Sequence, residues 1–145
     1  MIILDTNVVS ELMRPKPDSQ VLHWLRGQNA LQIHLTALTV AEIRRGLALL
    51  PEGKRRKSLE GAFATFLTEG FGERILPFTE KTTRFYAPLY KARVDAGLGV
   101  GEIDLIIAAM VREHQASLAT RNTSDFEHCG LRLINPWLMQ GEGLM

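Results

Sequence analysis

The chain has 145 residues, 46% of them hydrophobic, and a formal net charge of +1. That length suits one domain, residues 1–145, with a real core, and no apolar run approaches the roughly 18–20 residues that cross a bilayer. A near-neutral balance excludes a bulk basic field, so any nucleic-acid binding must rest on local patches.

In chain order, Ile2 to Leu4 reads as a short, wholly apolar strand suited to the middle of a parallel sheet. It runs straight into a carboxylate, Asp5, and Val8 to Met13 then has helical period. That helix must stop before Arg14-Pro15-Lys16-Pro17, because proline disfavours helix in the residue before it. Asp18 or Ser19 is placed to cap a helix carrying Val21, Leu22, Trp24 and Leu25. Leu31 to Thr36 alternates like a strand. Thr39 to Leu50 is a predicted helix with Val40, Ile43, Leu47 and Leu50 on one face. A second helix runs from Arg55 to about Leu67 and should bury Leu59, Phe63 and Phe66.

Arg74 to Phe78 reads as a short strand and Glu80 to Ala96 as a long helix. The glycines of Gly97-Leu98-Gly99-Val100-Gly101 follow a helix, not a strand, and so serve as terminator and connector. Glu102 to His114 is helical and apolar nearly all round, which predicts burial. Ser117 to Thr120 and Leu131 to Ile134 complete the strands. Strands alternating with helices imply an α/β architecture, a central mainly parallel β-sheet flanked by α-helices. In such sheets, sites form beyond the carboxyl ends of strands at a topological switch point. Asp5 and the segment Thr120-Arg121-Asn122 both occupy that kind of position.

Four acids merit a chemical reading beside a structural one. Asp5 suits either a helix cap or a site carboxylate. Glu42 closes Thr39-Val40-Ala41-Glu42, a capping-box pattern in which glutamate returns to the threonine amide. Asp104 lies among apolar neighbours in EIDLIIAAMV, where a lone buried carboxylate is costly without a partner. Its other reading is a favourable place in the first turn of a helix, although Glu102 meets that need at lower cost. Asp125 in TRNTSDF sits after a strand, where Asx-turn chemistry is the alternative. Taken together, carboxylates converging on one sheet edge repel one another unless a cation joins them. Oxygen-rich clusters suit Mg²⁺ or Mn²⁺, the ions of metal-assisted phosphodiester cleavage.

Other motifs point nowhere. No phosphate-binding G-x-x-x-x-G-K-[ST] loop exists. The basic run Lys54-Arg55-Arg56-Lys57 reads as a solvated helix start. The single Cys129 excludes an internal disulfide and fits a reducing cytoplasm. His128-Cys129 is an incidental pair without metal-ligand spacing. No charged segment or cleavage site precedes the first strand, so no secretion signal is expected.

The stretches MIILDTNVVSELMRP, LTALTVAEIRRGLALL, EIDLIIAAMV and LATRNTSDF, ending in INPW, resemble the PIN-domain ribonucleases, and among them the VapC/FitB-like toxins of toxin–antitoxin systems. The likeness covers nearly the whole chain in order. It implies a PIN-like fold, a Mg²⁺-dependent endoribonuclease activity on RNA with Mn²⁺ as a substitute, a homodimer, and a cognate antitoxin as partner. Asp5, Glu42 and Asp104 fall on the three acidic metal-site positions. The fourth position is open between Asn122 and Asp125. Asn7, Thr120 and Arg121 match recurrent positions whose implied roles are orienting Asp5, binding water and contacting phosphate. Arg14, Lys16, Arg44 and Arg45 are further candidates for steering phosphates, and Gly46 leaves room beside Glu42. The rival readings are a non-catalytic PIN-like binding module and an aspartyl phosphotransferase. The latter lacks its second acid, since Asn7 stands two residues after Asp5.

Overall fold

In the computed structural model, residues 1–99 and 101–139 are described. Five strands form one sheet: β1 (Ile2–Leu4), β2 (Ile33–Thr36), β3 (Ile75–Leu76), β4 (Ser117–Ala119) and β5 (Arg132–Ile134). Their spatial order is β3-β2-β1-β4-β5, and every pairing is parallel. The register sets Ile2 beside Ile33 on one side and beside Ser117 on the other, which puts β1 at the centre. Six helices connect the strands: α1 (Thr6–Leu12), α2 (Ser19–Arg26), α3 (Ala37–Ala48), α4 (Lys54–Gly70), α5 (Glu80–Asp95) and α6 (Glu102–Glu113).

A parallel sheet needs cover on both faces, and alternation along each strand feeds two cores. Leu4 and Ala119 join one with Val8, Val21, Trp24, Ile43 and Phe63, from α1 to α4. Ile3 and Leu118 join the other with Leu89, Leu105, Ile107 and Val111, from α5 and α6. As its composition predicts, α6 is the most buried helix, hiding Leu105 and the run Ile107 to Val111. Chain progression from β1 to β3 fills one side of the sheet, then crosses to β4 on the other. The switch point therefore lies between the carboxyl ends of β1 and β4, where Asp5 and Thr120 sit.

Several boundaries differ from the sequence pattern for identifiable reasons. Leu31 lies in a 3₁₀ turn (Ala30–Gln32) and is 69% exposed, so strand pairing begins at Ile33. Asn29 starts that turn by accepting the amide of Leu31 on its side chain. The strand expected over 74–78 shortens to two residues, ended by Pro77, which has no amide to donate. Thr120 lies just beyond β4, with its amide on the carbonyl of Ile134 at 2.8 Å. Gly97 ends α5 as the glycine-rich segment requires. It adopts φ +70° and donates to Val94 O, while the Leu98 amide donates to Arg93 O, the paired bonds of a Schellman cap. The apolar residues of α2 and α4 pack in the protein's own core, with Val21, Trp24, Phe63 and Leu67 buried. The exposed large apolar side chains lie elsewhere, among them Leu49, Tyr90, Val94 and Leu138. Among the described residues no helix is long and apolar enough to cross a membrane.

Candidate active site

Asp5 turns one oxygen to the helix that follows it and the other to the end of β4. As N-cap of α1, its Oδ1 accepts the Thr6 amide at 2.8 Å. Its Oδ2 accepts the Thr120 hydroxyl at 2.8 Å and the Asn7 side-chain amide at 3.3 Å. The carboxylate is 4% exposed, and burial pushes its pKa up, against the pull of the Thr120 and Thr6 hydrogen bonds. The charges of Glu42 and Asp125 add to the rise. Asn7 also donates to Thr120 Oγ1 at 3.2 Å and accepts the Arg121 amide on its Oδ1 at 3.1 Å. The Asn122 amide donates to Thr120 Oγ1. Asn7 and Thr120 thus lock the β1 end to the β4 end around one carboxylate.

Glu42 is not the partner of a Thr39 cap. Strand β2 ends at Thr36, which caps α3 itself by accepting the Thr39 amide at 3.2 Å. The capping-box pattern is therefore offset by one turn, and Glu42 is left for other work. Its Oε1 accepts the Thr6 hydroxyl at 2.5 Å, and its Oε2 stands 3.7 Å from Arg45. Thr6, the residue after Asp5, is thus bonded directly to the second acid, a contact that no local sequence pattern marks.

Asp104 is the third residue of α6, folded back against Gly101, where an added Cβ would stand 3.4 Å from Asp104 Oδ2. It has no hydrogen bond from the described residues. Burial raises its pKa to about 6, with the charges of Asp5, Asp125 and Glu42 acting in the same direction and Arg93 opposing. Asp125 lies in a 3₁₀ turn (Thr123–Phe126) and shares with Asp104 an open cleft of about 440 Å³, lined also by Arg93, Gly99, Gly101 and Leu105. Asn122 starts that turn without a side-chain cap and contributes only its backbone to Thr120. Of the two candidates for a fourth acid, Asp125 stands in the field of the others.

Around this cluster the cations are unevenly placed. Arg121 rests over the Trp137 ring at 4.9 Å, so the tryptophan of the INPW stretch gives a flexible side chain a fixed support. Arg14 is already engaged by buried Glu11 at 3.1 Å. Arg44 stacks over Phe63, and Gly46 faces open space one helical turn after Glu42. Arg93, Thr6 and Trp137 were not distinguished as site residues by sequence, because no spacing rule marks a contact between elements far apart in the chain. His128 is exposed with φ +63° whereas Cys129 is buried, so the adjacent pair does not act together.

The donor set suits a hard divalent cation. Among the described residues no three acidic, histidine or cysteine side chains close into a finished cage. Mg²⁺ asks for less, since it keeps several waters and takes one or two carboxylates directly. Beyond the effect of burial, the charges of Glu42 and Asp125 raise the proton affinity of Asp5 and Asp104, and a cation among these carboxylates would reverse that cost.

Comparison with known proteins agrees with this architecture. The PIN domain model matches residues 2–130. VapC ribonuclease Y4jK of Sinorhizobium fredii is 43% identical over 137 residues, which are 94% of this chain and 98% of that protein. Toxin FitB of Neisseria gonorrhoeae is 38% identical over 94% of this chain and 99% of its own length. The structure of FitAB bound to an IR36 DNA fragment superposes with a TM-score of 0.90 at 37% identity, covering 98% of this chain and 99% of that one. With the family model matched over most of its length and relatives 38% and 43% identical across nearly the whole chain, this chain belongs to the PIN domain family.

Proposed function

We propose that this protein is a Mg²⁺-dependent endoribonuclease and the toxin of a toxin–antitoxin pair. The observation that carries the reading is that four acids from separate segments share one electrostatic neighbourhood at the switch point: the charges of Glu42 and Asp125 act on Asp5, and those of Asp5, Asp125 and Glu42 act on Asp104. A ribonuclease and a toxin by name are its relatives, which fits that chemistry.

Asp5, Asp104 and Glu42 would hold the ion. Bound Mg²⁺, or Mn²⁺ in its place, supplies Lewis acidity to water and to a phosphodiester. Thr120 and Asn7 aim Asp5, because each donates to its Oδ2, and the Thr120 bond pulls its pKa down against the rise from burial. Thr6 aims Glu42 by donating its hydroxyl to Oε1. Asp104, whose pKa is about 6, must release its proton to serve. Arg121, supported by Trp137, offers a guanidinium to an RNA phosphate. The partners of this reading are a cognate antitoxin, matching a relative solved as a two-component complex on DNA, and a second copy of the chain. A cytoplasmic location follows from an RNA substrate.

The test is cleavage of single-stranded RNA by purified protein. Activity should require Mg²⁺ or Mn²⁺ and stop with EDTA, and robust EDTA-resistant cleavage would sink the reading. Light scattering at tens of micromolar should give a dimer.

A further inference from the structure

Arg93 is a buried cation whose guanidinium has no carboxylate partner among the described residues. It lies in the last turn of α5 and is 9% exposed. Nε and Nη2 donate to the carbonyl of Gly99 at 3.2 and 2.8 Å, and Nη1 donates to the carbonyl of Glu127 at 3.0 Å. Those carbonyls belong to different loops. Gly99 precedes α6, which presents Asp104 in its first turn, and Glu127 follows the 3₁₀ turn that presents Asp125. The same side chain lines the cleft between the two acids.

We propose that Arg93 is a positioning residue, which sets the separation of Asp104 and Asp125 by bridging the loops that carry them. The proposal rests on the metal-dependent reading above. Three features make the bridge stiff. The backbone of Arg93 is fixed by the Schellman cap, since its carbonyl accepts the Leu98 amide at 3.0 Å. Its planar fork reaches two carbonyls at once, which the single ammonium of lysine does not reproduce. The second loop has a further tether, with Arg112 Nη1 on the carbonyl of Cys129 at 3.0 Å. That contact needs Gly130, where a Cβ would stand 2.6 Å from Arg112 Nη1. That second tether starts at the far end of α6, whereas Arg93 joins the loop entering α6 directly to the loop that follows Asp125.

The experiment compares wild type with R93K and R93Q, and with R84Q as an exposed control on the same helix. Mn²⁺ binding is read by electron paramagnetic resonance, beside thermal unfolding and RNA cleavage as a function of Mn²⁺. Both Arg93 variants should remain folded at assay temperature and bind Mn²⁺ about 10- to 100-fold more weakly, the usual cost of losing an outer-shell partner. Their kcat should recover toward wild type as Mn²⁺ is raised, a rescue that a general packing defect would not give. Wild-type affinity in R93K would reduce the effect to charge and overturn the bridge, as would unchanged affinity in R93Q. Variants that do not fold would overturn it too, by making Arg93 a determinant of the fold. A wild-type protein that binds no Mn²⁺ and cleaves without metal would instead overturn the nuclease reading beneath it.

Discussion

Asp5 and Asp18 hold the same place at the start of consecutive helices and are put to different use. Asp18 turns one oxygen on the amides of Gln20 and Val21, at 2.8 and 3.3 Å, and its side chain has no other hydrogen bond among the described residues. Asp5 caps with one oxygen and keeps the other for Thr120 and Asn7, inside a field of other carboxylates. Capping alone needs one acceptor and solvent access. Burying a second oxygen beside like charges adds cost without improving the cap, so the excess must be explained by something outside α1. Within the acidic cluster the contrast repeats in another form. Asp5 has three donors, whereas Asp104 has none among the described residues and titrates near 6.

The largest expected effect separates the cluster from the cap. Asp5→Asn and Asp104→Asn should each lower metal-dependent cleavage by about 10²-fold or more, the scale of losing one preorganised transition-state contact. Both should remain folded by circular dichroism. Full activity in either variant would return that residue to a purely structural role.

Next is Glu42→Gln. Because Thr36 is the true cap of α3, the substitution leaves the helix start intact. Cleavage should fall about 10- to 100-fold while the unfolding temperature barely moves. A loss of stability that tracks the loss of cleavage would place Glu42 back in the scaffold.

These two outcomes bear on what the sequence discloses. The strand–helix alternation, the parallel sheet, the buried α6 and the glycine stop of α5 are local patterns, and each is readable because hydrophobic period and glycine chemistry act over a few residues. The end of β1 at Asp5 is readable for the same reason. The capping-box reading of Glu42 failed locally: Thr36 and Thr39 are three residues apart, and either can begin α3, so the motif alone does not fix its phase. Thr6 touching Glu42 spans 36 positions and Asn7 touching Thr120 spans 113, distances at which no periodicity carries information. Arg93 is the extreme case. On its own helix it looks like another solvated cation, and only the two carbonyls it reaches distinguish it.

A smaller effect separates Asp104 from Asp5 by stability in metal-free protein. Folding raises the Asp104 pKa from 3.8 to about 6, so between those values the native state binds more protons than the unfolded chain. Stability from this group therefore falls as pH rises through that window, and the penalty is complete above about pH 6. Asp104→Asn should stabilise the metal-free protein at pH 7 by on the order of 1–2 kcal/mol, after allowing for solvent screening of a half-buried group, and by little at pH 4. Asp5→Asn should not share this gain, because a side-chain amide there faces the donors of Thr120 and Asn7. Added Mg²⁺ should raise the unfolding temperature of wild type more than that of either variant. Equal stabilisation of both variants would mean that bulk repulsion, not the hydrogen-bond setting, governs the cluster.

The smallest effect tests the other member of the opening pair. Asp18→Ala removes an acceptor for the amides of Gln20 and Val21 and should cost about 1 kcal/mol, the ordinary cost of a lost N-cap. The Asp18 amide still donates to buried Glu11 at 3.0 Å, so the Glu11–Arg14 pair and the turn between α1 and α2 keep their anchor. For a chain of this length that cost lowers the unfolding temperature by roughly 2–4 °C. Cleavage per folded molecule should be unchanged, as should the Mg²⁺ concentration it requires, because the hydrogen bonds of the Asp18 side chain end on the backbone of α2. A drop in cleavage beyond the folded fraction would show that the entry to α2 is coupled to the cleft, and the distinction between a capping aspartate and a site aspartate would then need a different physical basis from the second oxygen of Asp5.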